Sequence, residues 1–516
     1  MAETLREIER KYEAERNHRA DGRAPLFPGA PLYPVLNGAG PVAETVQRGT
    51  AELDAVYYDT ADRRLLAAGI TLRRRTGGPD AGWHLKLPVA PGVRDEVRAP
   101  LTRRAVPRPL AALVRSRTRD APLLPLMRIA TRRRVEHLLD ADGALLAEAS
   151  TDTVTATRLD GVLGTARWTE AEIELAPGAG PALLDALEPR LLAAGLRPAR
   201  SPSKLARALA ELEPQPPDGP AGERPGGSGA GRTVLDHLRQ QVALLVELDP
   251  GARLGTEDAV HQMRVATRRL RSAFRSYGKV VDRRATDPIA AELKWLAAEL
   301  GLDRDREVLV ERLRARLDEL PRSLVRGPVR ARVRAWSAAR RTGSRRRLTA
   351  VLNGERYLAL LDSLDALLAD PPLGKAAARP PERVLAKAVL RDYRRLAGRM
   401  ERALDTGPGP GRDTALHEAR KAAKRVRYAA EVLGGDAARF ARRMKSVQTL
   451  LGDHQDSVLA RSALRELAEE AQAAGEPGFT YGLLYGREEQ RAAADERELP
   501  QVWARASQER WREGWA

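Results

Sequence analysis

Residues 4–15 read TLREIERKYEAE, and the fold of the N-terminal half turns on their centre, Glu7-Ile8-Glu9-Arg10-Lys11. On an extended backbone, successive side chains point to opposite faces, so Glu7, Glu9 and Lys11 share one face and Ile8 the other. Arg10 interrupts the alternation. A solvated edge strand would carry the same pattern, so its force comes from recurrence. GITLRRRT (69–76) sets Arg73 and Arg75 on one face, and GWHLKLPV (82–89) sets His84 and Lys86 opposite Leu85 and Leu87. In MRIATRRRVEHLLD (127–140) Arg132 and Arg134 share a face, and in ARWTEAEIELA (166–176) Glu170, Glu172 and Glu174 oppose Ile173 and Leu175. With AELDAVYYDT (51–60) and GALLAEASTDTVTATR (143–158), these segments are separated by Gly, Pro and Asp turns and predict an antiparallel sheet or closed barrel. PALLDALEPRLLAAG (181–195) and SPSKLARALAEL (201–212) read as helices.

A sheet with acids and bases on one face could simply be wet there, whereas a closed barrel would hold that face in a lumen. Like charges in such an interior need counter-ions. Clustered carboxylates call for a hard divalent cation, and Arg and Lys call for phosphate oxygens. Together they specify a metal–polyphosphate complex better than either ion alone.

The Glu-x-Glu-x-Lys at Glu7, Glu9 and Lys11 resembles the signature of the CYTH domain of the triphosphate tunnel metalloenzymes. YYDT at 57–60, LRRR at 72–75, HLKL around Lys86, Arg132 and Arg134, Asp152, EIE at 172–174 and Ser203-Lys204 follow in the family's order. The resemblance covers roughly residues 3–210. It implies an eight-stranded antiparallel tunnel with flanking helices that hydrolyses inorganic triphosphate or a related triphosphate-bearing substrate with Mg²⁺ or Mn²⁺. It further implies that Glu7, Glu9, Asp152, Glu172 and Glu174 hold metal, and that Glu172, Glu174 and Lys86 act in catalysis. Lys11, Arg73, Arg75, Lys86, Arg132, Arg134 and Lys204 would clamp phosphate oxygens. The Pro/Gly-rich insertion at 17–40 departs from the family's pattern and is expected to cover a tunnel mouth.

EPQPPDGPAGERPGGSGAGR (213–232) has almost nothing to bury and reads as a linker. Beyond it, TVLDHLRQQVALLVEL (233–248) and later segments repeat apolar residues at helical spacing. In VHQMRVATRRLRSAF (260–274), His261, Arg264, Arg268 and Arg271, continued by Arg275, fall on one helical stripe. LHEARKAAKRVRYAA (416–430) repeats it with His417, Arg420, Lys424 and Arg427. Leu300–Asp305 (LGLDRD) follows the first stripe and Leu451–Asp456 (LGDHQD) the second, which argues for an internal duplication. A charged stripe is commonly a solvated face, but one so positive repels itself, and two of them point to a polyanion-binding surface.

This half resembles the CHAD domain, a conserved-histidine helical module. The resemblance implies two related four-helix bundles around a basic groove and a role in binding long-chain inorganic polyphosphate through the stripe residues. The second copy departs by having Glu431 where Arg275 would lie and Gln455 where Arg304 lies. The expected plan is therefore α+β followed by all-α. Residues 1–210 form the tunnel domain, 211–232 the linker and 233–508 the helical domain, with halves at about 233–372 and 383–508.

Composition sets the frame for both halves. Lys+Arg number 88 against 70 Asp+Glu in 516 residues, a net charge of +18, which predicts polyanionic partners. There are no cysteines, which excludes disulfides and thiolate chemistry. No apolar run reaches the ~18 residues a membrane span needs, and no signal peptide is evident. The expectation is a cytoplasmic protein, associated with polyphosphate granules through its polymer-binding half. Aromatic residues are 4% and do not interleave with the stripes, so nucleic acid would bind without sequence preference. Two other functions compete with triphosphate hydrolysis: noncatalytic polyphosphate binding or targeting, and adenylate cyclase activity, for which no purine-recognition surface can be identified.

Overall fold

The computed structural model describes residues 3–14, 34–102, 105–213, 229–256, 258–341, 344–435 and 437–515; the side chains at 302–306 and 339–344 lie outside that description. Most of the predicted linker, the insertion up to residue 33, and the side chains of Asp303, Arg304 and Asp305 therefore lie outside the described residues. Contacts divide the chain into two compact units, Met1–Pro220 and Ala221–Ala516.

The first unit is an antiparallel sheet of nine strands. These are β1 (Glu3–Ala14), β2 (Glu44–Asp59), β3 (Thr71–Thr76), β4 (Gly82–Ala90), β5 (Val93–Pro100), β6 (Leu124–Leu139), β7 (Leu145–Arg158), β8 (Thr165–Leu175) and β9 (Leu196–Pro198). The helices are α1 (Arg64–Ala67), α2 (Arg108–Leu113), α3 (Arg115–Thr118), α4 (Ala182–Ala193) and α5 (Lys204–Leu212). The strand order is β5-β4-β3-β2-β6-β7-β8-β1-β9, with a further pairing of β5 to β1.

This corrects the expected eight-stranded tunnel. A ninth strand is present, and the ladder does not run round as a continuous ring. β1 pairs with β5 over Glu3–Ile8 and with β8 only over Glu9–Tyr12, so no residue of β1 is held by both. Tyr12–Ala14 then pair with β9. The strand is handed from one neighbour to the next along its length, which is why its charge pattern could not show what flanks it.

The two faces of the sheet carry different cores. On one, Tyr12 of β1, Ala147 and Ala149 of β7, and Ala171, Ile173 and Leu175 of β8 pack against Leu183, Leu184, Leu187 and Leu191 of α4. Arg10, the residue out of step with the alternation, lies on this face and pairs with Asp185 and Glu188 of α4. The opposite, inner face is charged at one end and apolar at the other. Its apolar end, including Tyr57, Met127, Ile129, Val154, Ala156 and Trp168, packs on Leu205, Ala208 and Leu209 of α5.

The second unit is helical: α6 (Ala230–Glu247), α7 (Asp249–Leu254), α8 (Ala259–Ser276), α9 (Arg283–Glu299), α10 (Gly301–Asp318), α11 (Val329–Arg341), α12 (Ser344–Asn353), α13 (Glu355–Ala369), α14 (Pro381–Asp405), α15 (Pro410–Leu433), α16 (Ala437–Ala473) and α17 (Phe479–Ala506). Two bundles following the two sequence halves are not what forms. One core draws on helices from both halves, with Leu270 of α8 and Leu361 of α13 beside Val426 of α15 and Val447 of α16. The other joins Leu313 of α10 and Val333 of α11 to Leu464 of α16 and Leu484 of α17. The 37-residue α16 is long enough to serve both cores, so the duplication in sequence does not divide the packing. No described helix is long and apolar enough to cross a membrane.

Candidate functional site

The charged end of the inner face lines a cavity of about 680 Å³ in which basic side chains outnumber carboxylates. Pairing register builds it. Glu9 lies opposite Glu174 and Lys11 opposite Glu172 across β1 and β8, and Arg133 lies opposite Asp152 across β6 and β7. Ser203 caps α5, accepting a hydrogen bond from the Ala206 amide at 3.1 Å, and so aims Lys204 from the first turn at the carboxylates of β7 and β8.

Asp152, Glu170 and Glu172 converge on one cation: Lys204 Nζ lies 2.9, 2.8 and 2.6 Å from them. Lys11 Nζ is 2.5 Å from Glu172 and 3.2 Å from Glu9. Lys86 pairs with Glu7, and Arg73 donates to the Tyr57 hydroxyl at 3.3 Å. Burial opposes ionisation of Glu172, yet Lys11, Lys204 and Arg133 hold it well below the usual carboxylate range. Asp152 is likewise buried and held down by Lys204 and Arg133. Glu174 behaves oppositely: burial and the like charges of Glu7 and Glu9 push it up to about 7.

These residues fit a metal–phosphate complex. Asp152, Glu170 and Glu172 bring their oxygens within 4.8 Å of one another, a spacing suited to a shared cation. Glu7 Oε2 is a buried acceptor with no hydrogen-bond partner, while Arg73 Nε and Arg75 Nε are buried donors with none. A cation would satisfy the first and an anion the other two.

The structure moves two expected phosphate ligands. Arg132 is exposed and pairs with Glu52, and Arg134 turns to Gln47 and Glu136; both point away from the cavity. Arg133 faces inward, donating to Asp152 at 2.8 and 2.6 Å and to Glu172 at 2.5 Å. Three successive arginines carry no phase of their own. Ile129 and Val135 on the same strand, at odd positions like Arg133, supply one, since Ile129 packs in the inner core and Val135 lines the cavity.

Glu96 was also missed. It lies within 3.9 Å of Arg73 and Lys86, 2.9 Å from His84 and 2.6 Å from Arg98. The signal was there in VRDEVRAP, where Arg94, Glu96 and Arg98 alternate. His84 is engaged at both ring nitrogens, by Glu96 and by the Asp80 carbonyl, each at 2.9 Å, which leaves it poorly placed to act as a base.

In the helical unit the two stripes meet. Lys424 on α15 is pushed down to about 7 by burial and by Arg420 on its own helix with Arg268 and Arg264 on α8, while Asp456 on α16 acts the other way. Arg271 is lowered by burial and by Arg275, the exposed end of the first stripe. His261 is partly buried at the start of that stripe. His417 is lowered by burial and by Lys421, and its hydrogen bond to Gln455 works against the shift. Arg427 pairs with Glu431 at 2.8 Å, so the acid that replaces a stripe arginine neutralises its neighbour.

A second group, Asp413, His454 and Glu496, also brings ligand atoms within 4.8 Å of one another. Its carboxylates already pair with Arg461 at 3.3 Å and Arg412 at 3.2 Å, so the group also ties α15, α16 and α17 together.

Residues 40–208 match the CYTH domain family and residues 236–465 the CHAD domain family. Two uncharacterized proteins of Mycobacterium tuberculosis, MT2285 and Rv2226, are each 42% identical over 476 residues, covering 89% of this chain and 90% of theirs. Among solved structures, PptA from Streptomyces chartreusis is similar over 54% of this chain and 100% of its own, with 22% identity and a TM-score of 0.45. The CHAD domain from Ricinus communis is similar over 55% and 93%, with 22% identity and a TM-score of 0.40. The CYTH match and the Asp152–Glu170–Glu172 group together support metal-dependent phosphohydrolase chemistry. With both families matched in this order along one chain, the protein belongs to the family in which a CYTH domain is fused to a CHAD domain.

Proposed function

We propose that residues 1–210 hydrolyse inorganic triphosphate, or a related triphosphate-bearing substrate, and that residues 233–508 bind long-chain polyphosphate. Glu7, Glu9, Asp152, Glu172 and Glu174 would hold Mg²⁺ or Mn²⁺, and Glu170 belongs with them. When bound, the metal would offset phosphate charge and activate water. Lys11, Arg73, Arg75, Lys86 and Lys204 would grip phosphate oxygens, with Arg133 in the place expected of Arg132 and Arg134. Their fixed positive charges lower the repulsion that a polyanion presents to a nucleophile and stabilise charge on the departing phosphate. In the helical domain His261, Arg264, Arg268, Arg271, Arg275, His417, Arg420, Lys424 and Arg427 would hold the polymer.

The observation that carries this reading is the pairing of orphaned groups of opposite sign in one cavity: the Glu7 oxygen against the Arg73 and Arg75 nitrogens. The test is orthophosphate release from tripolyphosphate by the purified protein with Mg²⁺ or Mn²⁺, from neutral to alkaline pH. Release that depends on metal and is lost in Glu172→Ala is expected. No release under any of these conditions overturns hydrolysis and leaves binding alone.

A further inference from the structure

We infer that Gly301 and Gly452, the glycines of the two Leu-Gly motifs, are seats for the guanidinium groups of Arg264 and Arg420, and so position those arginines for phosphate. The inference rests on the reading of the helical unit as a polyphosphate binder. It explains why two stretches far from the stripes in sequence carry the same dipeptide.

Glycine needs a reason in a helix interior such as that around Gly452, where it is about 1 kcal/mol worse than alanine. Gly452 lies well inside α16, and Gly301 is the first residue of α10. Backbone conformation does not supply the reason, since neither has a positive φ. Close approach does. A Cβ on Gly301 would stand 2.8 Å from Arg264 Nη2, 2.9 Å from Cζ and 3.1 Å from Nε. On Gly452 it would stand 3.3 Å from Arg420 Nη2 and 3.6 Å from Nε. No other atom is among the nearest neighbours at either position.

The same contact thus occurs twice, between matching residues of the two repeats: the arginine three residues after the stripe histidine, and the glycine of the following Leu-Gly. In both places a flat cation lies over a bare Cα. The atoms that a methyl group would displace belong to the mobile end of an arginine and not to backbone. Alanine should therefore spare the helix and shift the cation, and the shift should be larger at Gly301, where the clearance is smaller.

The full-length chain is tested for long-chain polyphosphate affinity across a salt series, with thermal unfolding measured alongside. Gly301→Ala should weaken binding about tenfold, the scale of one charge-assisted hydrogen bond, and flatten the salt dependence by about one ion. Its Tm should be unchanged or higher. Gly452→Ala should act in the same direction but less. In an Arg264→Ala background Gly301→Ala should add nothing, and with Arg264→Lys, whose slender ammonium needs no flat seat, it should be harmless.

If Arg264→Ala weakens binding while Gly301→Ala and Gly452→Ala both bind like the parent, the seats are overturned and the polymer reading stands. A Gly301→Ala effect that persists undiminished without Arg264 also overturns them. Parental binding by Arg264→Ala removes the polymer reading of that stripe, and the seat falls with it. If Gly301→Ala does not fold, Gly452→Ala decides by the same comparison in an Arg420→Ala background.

Discussion

Arg133 is the residue at which sequence pattern and structure part most sharply. Its guanidinium bridges Asp152 and Glu172, whereas Arg132 is exposed beside Glu52. Arg133→Ala should lower kcat/KM for tripolyphosphate about a hundredfold, the range of a lost preorganised charge, and Arg132→Ala should leave it within about twofold; steady-state kinetics of the two variants checks this. The charged alternation of β4 and β8 was legible because apolar residues stand between the charges, Leu85 in the first and Ala171 and Ile173 in the second. The run of arginines had no such spacer, and beside Glu96 the acidic Asp95 stands where an apolar spacer would be. Lys424 permits a prediction about pH. Facing Arg420, Arg268, Arg264 and Asp456, and buried, it is pushed down to about 7. A bound polyanion favours its charged form, so binding takes up a proton and affinity should fall as pH rises through and above 7. Titrations from pH 6 to 9 should show this slope in the parent and a flatter one in Lys424→Arg. The stability sign is separate: an unfolded lysine keeps its proton to about 10.5, so Lys424 lets stability rise with pH between about 7 and 10.5.

Individual elements were legible by period, but what flanks them was not. The two-residue spacing of Glu7, Glu9 and Lys11 identifies β1, yet nothing in its residues says that β5 takes its first half, β8 its second and β9 its end, because partners are chosen by other segments. The same limit applies to α5. Its apolar stripe marks a helix, while its position on the inner face, closing the apolar end and presenting Lys204, depends on the layout of β2, β6, β7 and β8. That placement makes the cap testable. Ser203→Ala removes the side-chain acceptor for the Ala206 amide and should destabilise the N-terminal unit by about 1 kcal/mol, read as a lower Tm. Because Lys204 is the next residue, kcat/KM should fall as well. An unchanged Tm would mean that core packing alone holds the start of the helix.

At the scale of the whole molecule, the Pro/Gly-rich composition of residues 213–232 predicts a linker, and contacts divide the chain into two compact units at Pro220. The helical half carries two similar stripes in sequence, but its cores draw on helices from both halves, since close packing follows complementary side chains and not sequence order. Each unit has its own core, so the chain cut near residue 220 should give two folded fragments. Residues 1–220 contain all the proposed metal and triphosphate ligands and should keep metal-dependent activity on tripolyphosphate. Residues 221–516 should bind long-chain polyphosphate without hydrolysing it, with affinity falling as salt rises. Joining a binder to an enzyme raises the local concentration of a captured chain at the active site, provided the chain end can reach it. The intact protein should then outpace an equimolar mixture of fragments on long chains and merely match it on tripolyphosphate. Equal rates on both substrates would mean that the helical unit localises the enzyme without feeding it. Loss of tripolyphosphate activity on cutting would show that the first unit needs the second to form its site.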